Sequence, residues 1–177
     1  MKGNPDTTRK LALAAVVAAA YAVLTIFLAP ISYSSVQCRI SEVLCILPFF
    51  LPGSAWGLFA GCLLANLIIG NALDIVFGSL ATLGAALVTA RLGRMSHSVK
   101  TELLACFQPV IFNAVIVGAV LTWGEAGLNP FTHPGVYAVT ALWVGLGEAI
   151  VLFAIGFPLM RWLPKQSFFR KQLQRFQ

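Results

Sequence analysis

The chain has 177 residues, of which 59% are hydrophobic and 10% are charged, and it carries a net charge of +6. Because a soluble domain has roughly 25% charged residues, this composition excludes an ordinary soluble fold and indicates an integral membrane protein with one domain. The basic residues stand at predicted helix ends and in the C-terminal tail rather than in an aromatic-rich patch. They therefore favour anionic lipid over nucleic acid as a partner.

Apolar runs and helix breakers predict an all-α membrane bundle of six helices. The first run continues to residue 29, which is longer than the core of a secretory signal, so we expect a retained helix. Pro48 and the Pro52-Gly53 pair interrupt the second run. The second and third helices are short for a span of about 20 residues, so tilt or a thinned bilayer is expected there. The predicted helices cover residues 8–29, 39–51, 55–70, 74–90, 103–123 and 137–163.

The basic residues predict the orientation of this bundle. Eleven of the twelve Lys and Arg residues fall on one side of the six predicted helices, and the exception is Arg39. Short loops rich in Lys and Arg stay in the cytoplasm, so both termini are expected there, in a multi-pass protein of the cell membrane. Four of the six acids then fall in the outer half, namely Glu42, Asp74, Glu125 and Glu148.

The second and fourth helices begin with charged residues that allow two interpretations. Arg39 and Glu42 lie three residues apart, which places them on one helix face, where they form a structural ion pair or bind a polar solute. Asp74 either caps the start of the fourth helix or faces a ligand. Charge at membrane depth is costly and normally has a function.

Deeper polar residues complete the candidate substrate-binding site. Glu148 and Asn113 lie near the middle of their helices, so the carboxylate needs a partner, which Asn113, a proton or a bound cation would supply. Trp143 either belongs to the interfacial aromatic belt or stacks on a planar ligand. The full candidate set is Gln37, Arg39, Glu42, Asn66, Asp74, Asn113, Trp143 and Glu148.

The first helix carries rows of small residues. Ala14, Ala18 and Ala22 are spaced by four, as are Ala15 and Ala19. Such rows let another helix approach closely in lipid. The neighbour is either a helix of this bundle or another membrane subunit.

Motifs of catalysis and metal binding are absent from the sequence. The four cysteines have no metal-ligand spacing, so we expect neither a disulfide nor a metal or other cofactor. No hydrolase, metalloprotease or nucleotide-binding motif is present. Because the chain has no ATP site, it is expected to bind a substrate and to rely on an energising partner.

Four sequence stretches resemble one family of transport proteins. They are QCRISE at 37–42, LPFF at 47–50, GCLLAN at 61–66 and DIVFGSLAT at 74–82. Together they resemble the QueT family, the substrate-binding S components of energy-coupling factor transporters for queuosine precursors. The resemblance is dense between residues 33 and 90.

The resemblance implies a six-helix bundle that binds a deazaguanine base, such as queuine, near its outer face. It also implies assembly with a transmembrane T component and two cytoplasmic ATPase subunits. In such proteins small residues of the first helix contact the T component, which implicates either alanine row. The alternatives are an S component for a different vitamin, a membrane assembly subunit that transports nothing, and an intramembrane enzyme.

Overall fold

A computed structural model describes residues 5–32, 38–69, 72–124 and 126–176, and the regular structure in these ranges is helical. A short turn, Ala29–Ser32, follows the first helix. Four helices are continuous: α1 at Pro5–Phe27, α3 at Ser54–Ile69, α5 at Val99–Gly124 and α7 at Ser167–Phe176. Helix α2 consists of the 3₁₀ segment Ile40–Ile46 and the α-helical segment Leu47–Phe50, and α4 consists of the π-helical turn Asp74–Gly78 and the α-helical segment Ser79–Met95. Helix α6 consists of four consecutive segments, which are Pro134–Val151, the π-helical turn Leu152–Gly156, Phe157–Trp162 and the 3₁₀ turn Leu163–Lys165.

Four of these helices have the length and apolarity of a membrane span. Among the described residues they are α1, α4, α5 and α6, whereas α2 and α3 are apolar but shorter. The predicted all-α membrane fold is therefore confirmed, and the chain is a multi-pass membrane protein. The crossings by α2 and α3, which would make six, stay predictions.

The winding of α2 makes the helix longer than an α-helix with the same number of residues. Its first segment is a 3₁₀ helix, which rises about 2.0 Å per residue instead of about 1.5 Å. Pro48 stands in the first turn of the α-helical segment that follows, where a missing N–H costs nothing. The 3₁₀ segment contacts α1, α3, α4, α5 and α6, so it occupies the centre of the bundle.

Helix α7 was not predicted, because its sequence contains too few apolar residues to read as a span. It is amphipathic: the ring of Phe169 packs edge-on against Phe50 at 5.6 Å, whereas Arg170 and Lys171 are exposed. Amphipathic helices of this kind lie in the plane of the membrane interface and do not cross the hydrocarbon core of the bilayer.

The ends of the bundle differ in charge. Lys10 of α1 and Arg94 of α4 line one cavity, and Arg161 of α6 approaches Glu102 of α5 to 3.8 Å. We call this the basic end. Phe49 and Phe50 at the end of α2 line the same cavity, whereas Arg39 precedes the start of α2 and so lies toward the opposite end.

The small residues of α1 and α3 allow these helices to touch along their backbones. A Cβ atom at Gly61 would lie 2.6 Å from the carbonyl oxygen of Ala18, and one at Gly57 would overlap the carbonyl oxygen of Ala14. Ala18 and Ala22 are buried. The first alanine row thus packs inside the bundle.

We predict that Gly61→Ala lowers the free energy of unfolding by about 1–3 kcal/mol, because the added methyl group would overlap the backbone of α1. Thermal unfolding of the detergent-solubilised protein measures the change. The matched control is Gly135→Ala, since a Cβ atom there meets nothing within 4 Å. Equal stability of the two variants would contradict the close α1–α3 contact.

Candidate binding site

Glu42 is the centre of a buried hydrogen-bond cluster that joins three helices. Its Oε1 accepts hydrogen bonds from the hydroxyl of Tyr21 in α1 and from Oγ1 of Thr82 in α4, the latter at 3.3 Å. Its Oε2 accepts one from the thiol of Cys45 at 2.9 Å. All four residues are buried. Neutral donors therefore satisfy both carboxylate oxygens, as a buried acid requires.

Arg39 connects this cluster to the start of α4. Its Nη2 lies 3.5 Å from Oδ2 of Asp74, and neither side chain is more than 2% exposed. The backbone of Arg39 is extended, with φ −78° and ψ 95°, so the helical spacing assumed for Arg39 and Glu42 does not apply at this residue. The ion pair thus joins the residue before α2 to the start of α4, 35 residues away in the sequence.

Asn66 and Gly78 fix the position of Asp74. The amide of Asn66 in α3 donates to the carbonyl oxygen of Asp74 at 2.9 Å. A Cβ atom at Gly78 would lie 3.0 Å from Oδ1 of Asp74 and 3.2 Å from Nδ2 of Asn66. Glycine therefore leaves the space that both side chains occupy.

Glu148 and Asn113 form the second buried pair. Nδ2 of Asn113 in α5 donates to Oε1 of Glu148 in α6 at 2.9 Å, the neighbour that the sequence analysis expected. Glu148 Oε2 and Asn113 Oδ1 are buried and have no hydrogen-bond partner among the described residues. Two adjacent side chains thus each present an acceptor. Buried acceptors of this kind call for a donor.

The charges of these groups do not balance. Glu148 is within electrostatic range of both Glu42 and Arg39, so the two buried clusters lie near each other. The site holds three carboxyl groups and one guanidinium, on Glu42, Asp74, Glu148 and Arg39, and each residue is at most 2% exposed. A proton or a cationic ligand has to offset an excess of two acids at this depth.

Two π-helical turns border the site. One begins with Asp74, and the other begins at Leu152, four residues after Glu148. Such turns are rare and frequently mark functional sites, because the extra residue shifts the side chains that follow. Asp74 and Glu148 therefore each lie beside a local change in helix register.

Not every predicted residue joins this site. Trp143 is 48% exposed, because its five-residue separation from Glu148 turns it by roughly 140° around α6. The structure therefore places Trp143 at the bundle surface, away from the site. Gln37 and Glu125 lie outside the described residues.

Several residues that the sequence analysis did not select belong to the site. Tyr21 in α1 is fully buried. Because a Tyr within a membrane-spanning helix needs a hydrogen-bond partner for its hydroxyl, its place in the apolar run was a sequence signal for a polar contact. Thr25 donates to Oγ of Ser41 at 2.7 Å and so ties α1 to α2. Thr82 lies in one of the family-like stretches. The described residues contain no group of three or more His, Cys, Asp or Glu side chains suited to a metal ion.

We predict that Tyr21→Phe destabilises the protein by about 1–3 kcal/mol, because it removes a donor from the buried carboxylate of Glu42. Tyr137→Phe is the matched control. It removes a hydroxyl that donates to the carbonyl oxygen of Val115 at 3.1 Å in a less buried place, so we expect a smaller loss. Thermal unfolding in detergent compares the two, and a smaller effect at Tyr21 would contradict the arrangement around Glu42.

Comparison with known proteins identifies the family. No curated protein and no solved structure matches the chain. The model of one family, described as QueT transporter, matches residues 11–165 of the 177. The match runs from residue 11, within α1, to the end of α6 and includes every described residue of the site. The chain is therefore a member of the QueT transporter family, a membrane transport protein rather than an enzyme.

Proposed function

We propose that the chain is the substrate-binding S component of an energy-coupling factor importer and takes up a queuosine precursor, such as queuine or a related deazaguanine base. One observation carries the proposal. Within a member of the QueT transporter family, Glu148 Oε2 and Asn113 Oδ1 are buried acceptors without a hydrogen-bond partner among the described residues.

The chemistry of a deazaguanine suits these acceptors. Its ring N–H and its exocyclic NH₂ are adjacent donors on one edge of a flat base, and two neighbouring acceptor oxygens match such an edge. Asn113 already donates to Glu148 Oε1, which orients the carboxylate. A few fixed polar groups in an apolar surrounding are typical of small-molecule sites.

The charge of the site supports a precursor with an amine arm. Three carboxyl groups face one guanidinium in the described core. An ammonium group on the ligand would offset part of this excess, whereas a neutral base would leave it to protons. Arg39, Glu42, Asn66 and Asp74 are the proposed surroundings of this arm.

Transport would require partners that supply energy. We propose a transmembrane T component and two cytoplasmic ATPase subunits, with both termini of this chain in the cytoplasm. The asymmetry of Lys and Arg supports that orientation. Ala15 and Ala19 are exposed on α1, whereas Ala18 packs against Gly61 of α3 and Ala22 is buried. The exposed row is therefore the proposed docking surface.

We predict that Glu148→Gln weakens binding of a deazaguanine with an aminomethyl arm by about 2–4 kcal/mol. Gln keeps the shape but replaces one acceptor with an NH₂ group, which faces the donors of the base. Isothermal titration calorimetry of the purified protein measures the affinity. Glu102→Gln is the matched control, because Glu102 lies beside Arg161 at the basic end.

Unchanged affinity in Glu148→Gln would remove Glu148 from the binding site. Poor folding with normal affinity in the surviving protein would assign it a structural role. If the unmodified protein bound no deazaguanine, mass spectrometry of small molecules released from it would distinguish an S component for another vitamin from a subunit without a ligand.

We predict that Ala15→Trp abolishes transport and leaves deazaguanine binding to the isolated protein unchanged, because an indole on the exposed row blocks close approach of another helix. Uptake by cells and calorimetry test the two parts. Leu142→Trp, at a 73% exposed position of α6, controls for added bulk in lipid. Normal uptake in Ala15→Trp would contradict docking through this row.

A further inference from the structure

Two adjoining cavities lie at the basic end, and none of the acids of the binding site lines them. The first, here the basic cavity, has a volume of about 370 Å³ and is lined by Lys10, Arg94 and His97 together with apolar residues. The second, here the side groove, has about 500 Å³ and is lined by Arg91, Arg94 and apolar residues. Both include Pro52, Gly53 and Arg94, so they form one continuous depression.

The charged groups of this depression have a single sign. The described residues that line it include Lys10, Arg91 and Arg94 but no acid. None of these three cations forms an ion pair with an acid in the described part of the chain. Three unneutralised cations around a concave surface favour an anionic ligand.

The walls of the depression are closely packed and partly aromatic. The rings of Phe49 and His97 meet edge-on at 5.1 Å, and His97 also approaches Phe50. Gly93 of α4 lies so close to the backbone of Phe49 that a Cβ atom would overlap its carbonyl oxygen. The basic cavity is thus formed by packed helices.

The side groove opens onto the membrane-facing surface of the bundle. Trp56 of α3 is 60% exposed and Leu87 of α4 is 47% exposed, and both line the groove. Exposed apolar side chains on a membrane helix face acyl chains, and Trp favours the interface between chains and headgroups. The amphipathic helix α7, of a kind that lies in the membrane interface, packs on Phe50, which lines the basic cavity.

We propose that this depression binds one anionic phospholipid. Its phosphate lies between Lys10 and Arg94 in the basic cavity, with Arg91 beside it, and an acyl chain follows Trp56 and Leu87 along the side groove. Basic pockets between membrane helices bind anionic headgroups in this way. A soluble phosphate would use the cations but would leave the apolar groove without a role.

Native mass spectrometry of the full-length protein in detergent tests the proposal. Phosphatidylglycerol and phosphatidylcholine with identical acyl chains are titrated, and the anionic lipid should bind more tightly. Arg94→Gln should weaken phosphatidylglycerol binding about fivefold, the loss expected for one cation at an anionic membrane surface, and Lys10→Gln should act similarly. Arg94→Lys, which keeps the charge, should retain most of the affinity. Arg170→Gln, on the exposed face of α7, is the control and should change little.

Three results would overturn the assignment. Equal binding of the two lipids would exclude an anionic-lipid site. Equal losses in Arg94→Gln and Arg170→Gln would show that the basic surface as a whole attracts lipid. Displacement of phosphatidylglycerol by glycerol phosphate, together with unchanged lipid binding in Trp56→Ala, would instead assign the depression to a soluble phosphate. If Arg94→Gln fails to fold, Lys10→Gln makes the same comparison.

Discussion

The packing of the helices depends on hydrogen bonds and ion pairs to buried acids that water does not reach. Glu42, Asp74 and Glu148 are each at most 2% exposed, and each has a hydrogen bond or an ion pair from a different helix. The cost of an unpaired carboxylate at this depth ties those helices to one another. The 3₁₀ segment of α2 makes this possible, because it stands at the centre of the bundle and presents Glu42 to α1 and α4.

Sequence reasoning located the acids of this core but not all of their partners. Charged residues inside apolar runs are a strong signal, so Glu42, Asp74 and Glu148 were evident. The pair of Asn113 and Glu148 followed from their similar depth on neighbouring helices. The ion pair between Arg39 and Asp74 did not follow, because Arg39 has an extended backbone and its partner lies 35 residues away. Local spacing rules apply only within a continuous helix.

The two alanine rows of α1 show another limit of pattern analysis. Both rows have the same spacing, so the sequence predicted close helix contact without deciding which row is internal. Gly57 and Gly61 decide it, since they face Ala14 and Ala18 and bring the backbones together. Helix α7 shows the same limit, because it is too polar to resemble a span, and its contact with Phe50 becomes visible only in the structure.

The two faces of α1 have different surroundings. One face carries the exposed Ala15 and Ala19, and the other carries Tyr21, whose hydroxyl bonds to Glu42. An α-helix is stiff over a few turns, so a tilt or rotation of α1 moves the residues on both of its faces together. The backbone contact at Gly57 and Gly61 also couples the position of α1 to that of α3. Any displacement of α1 relative to α2 would therefore change the hydrogen bond that Tyr21 donates to the buried carboxylate of Glu42.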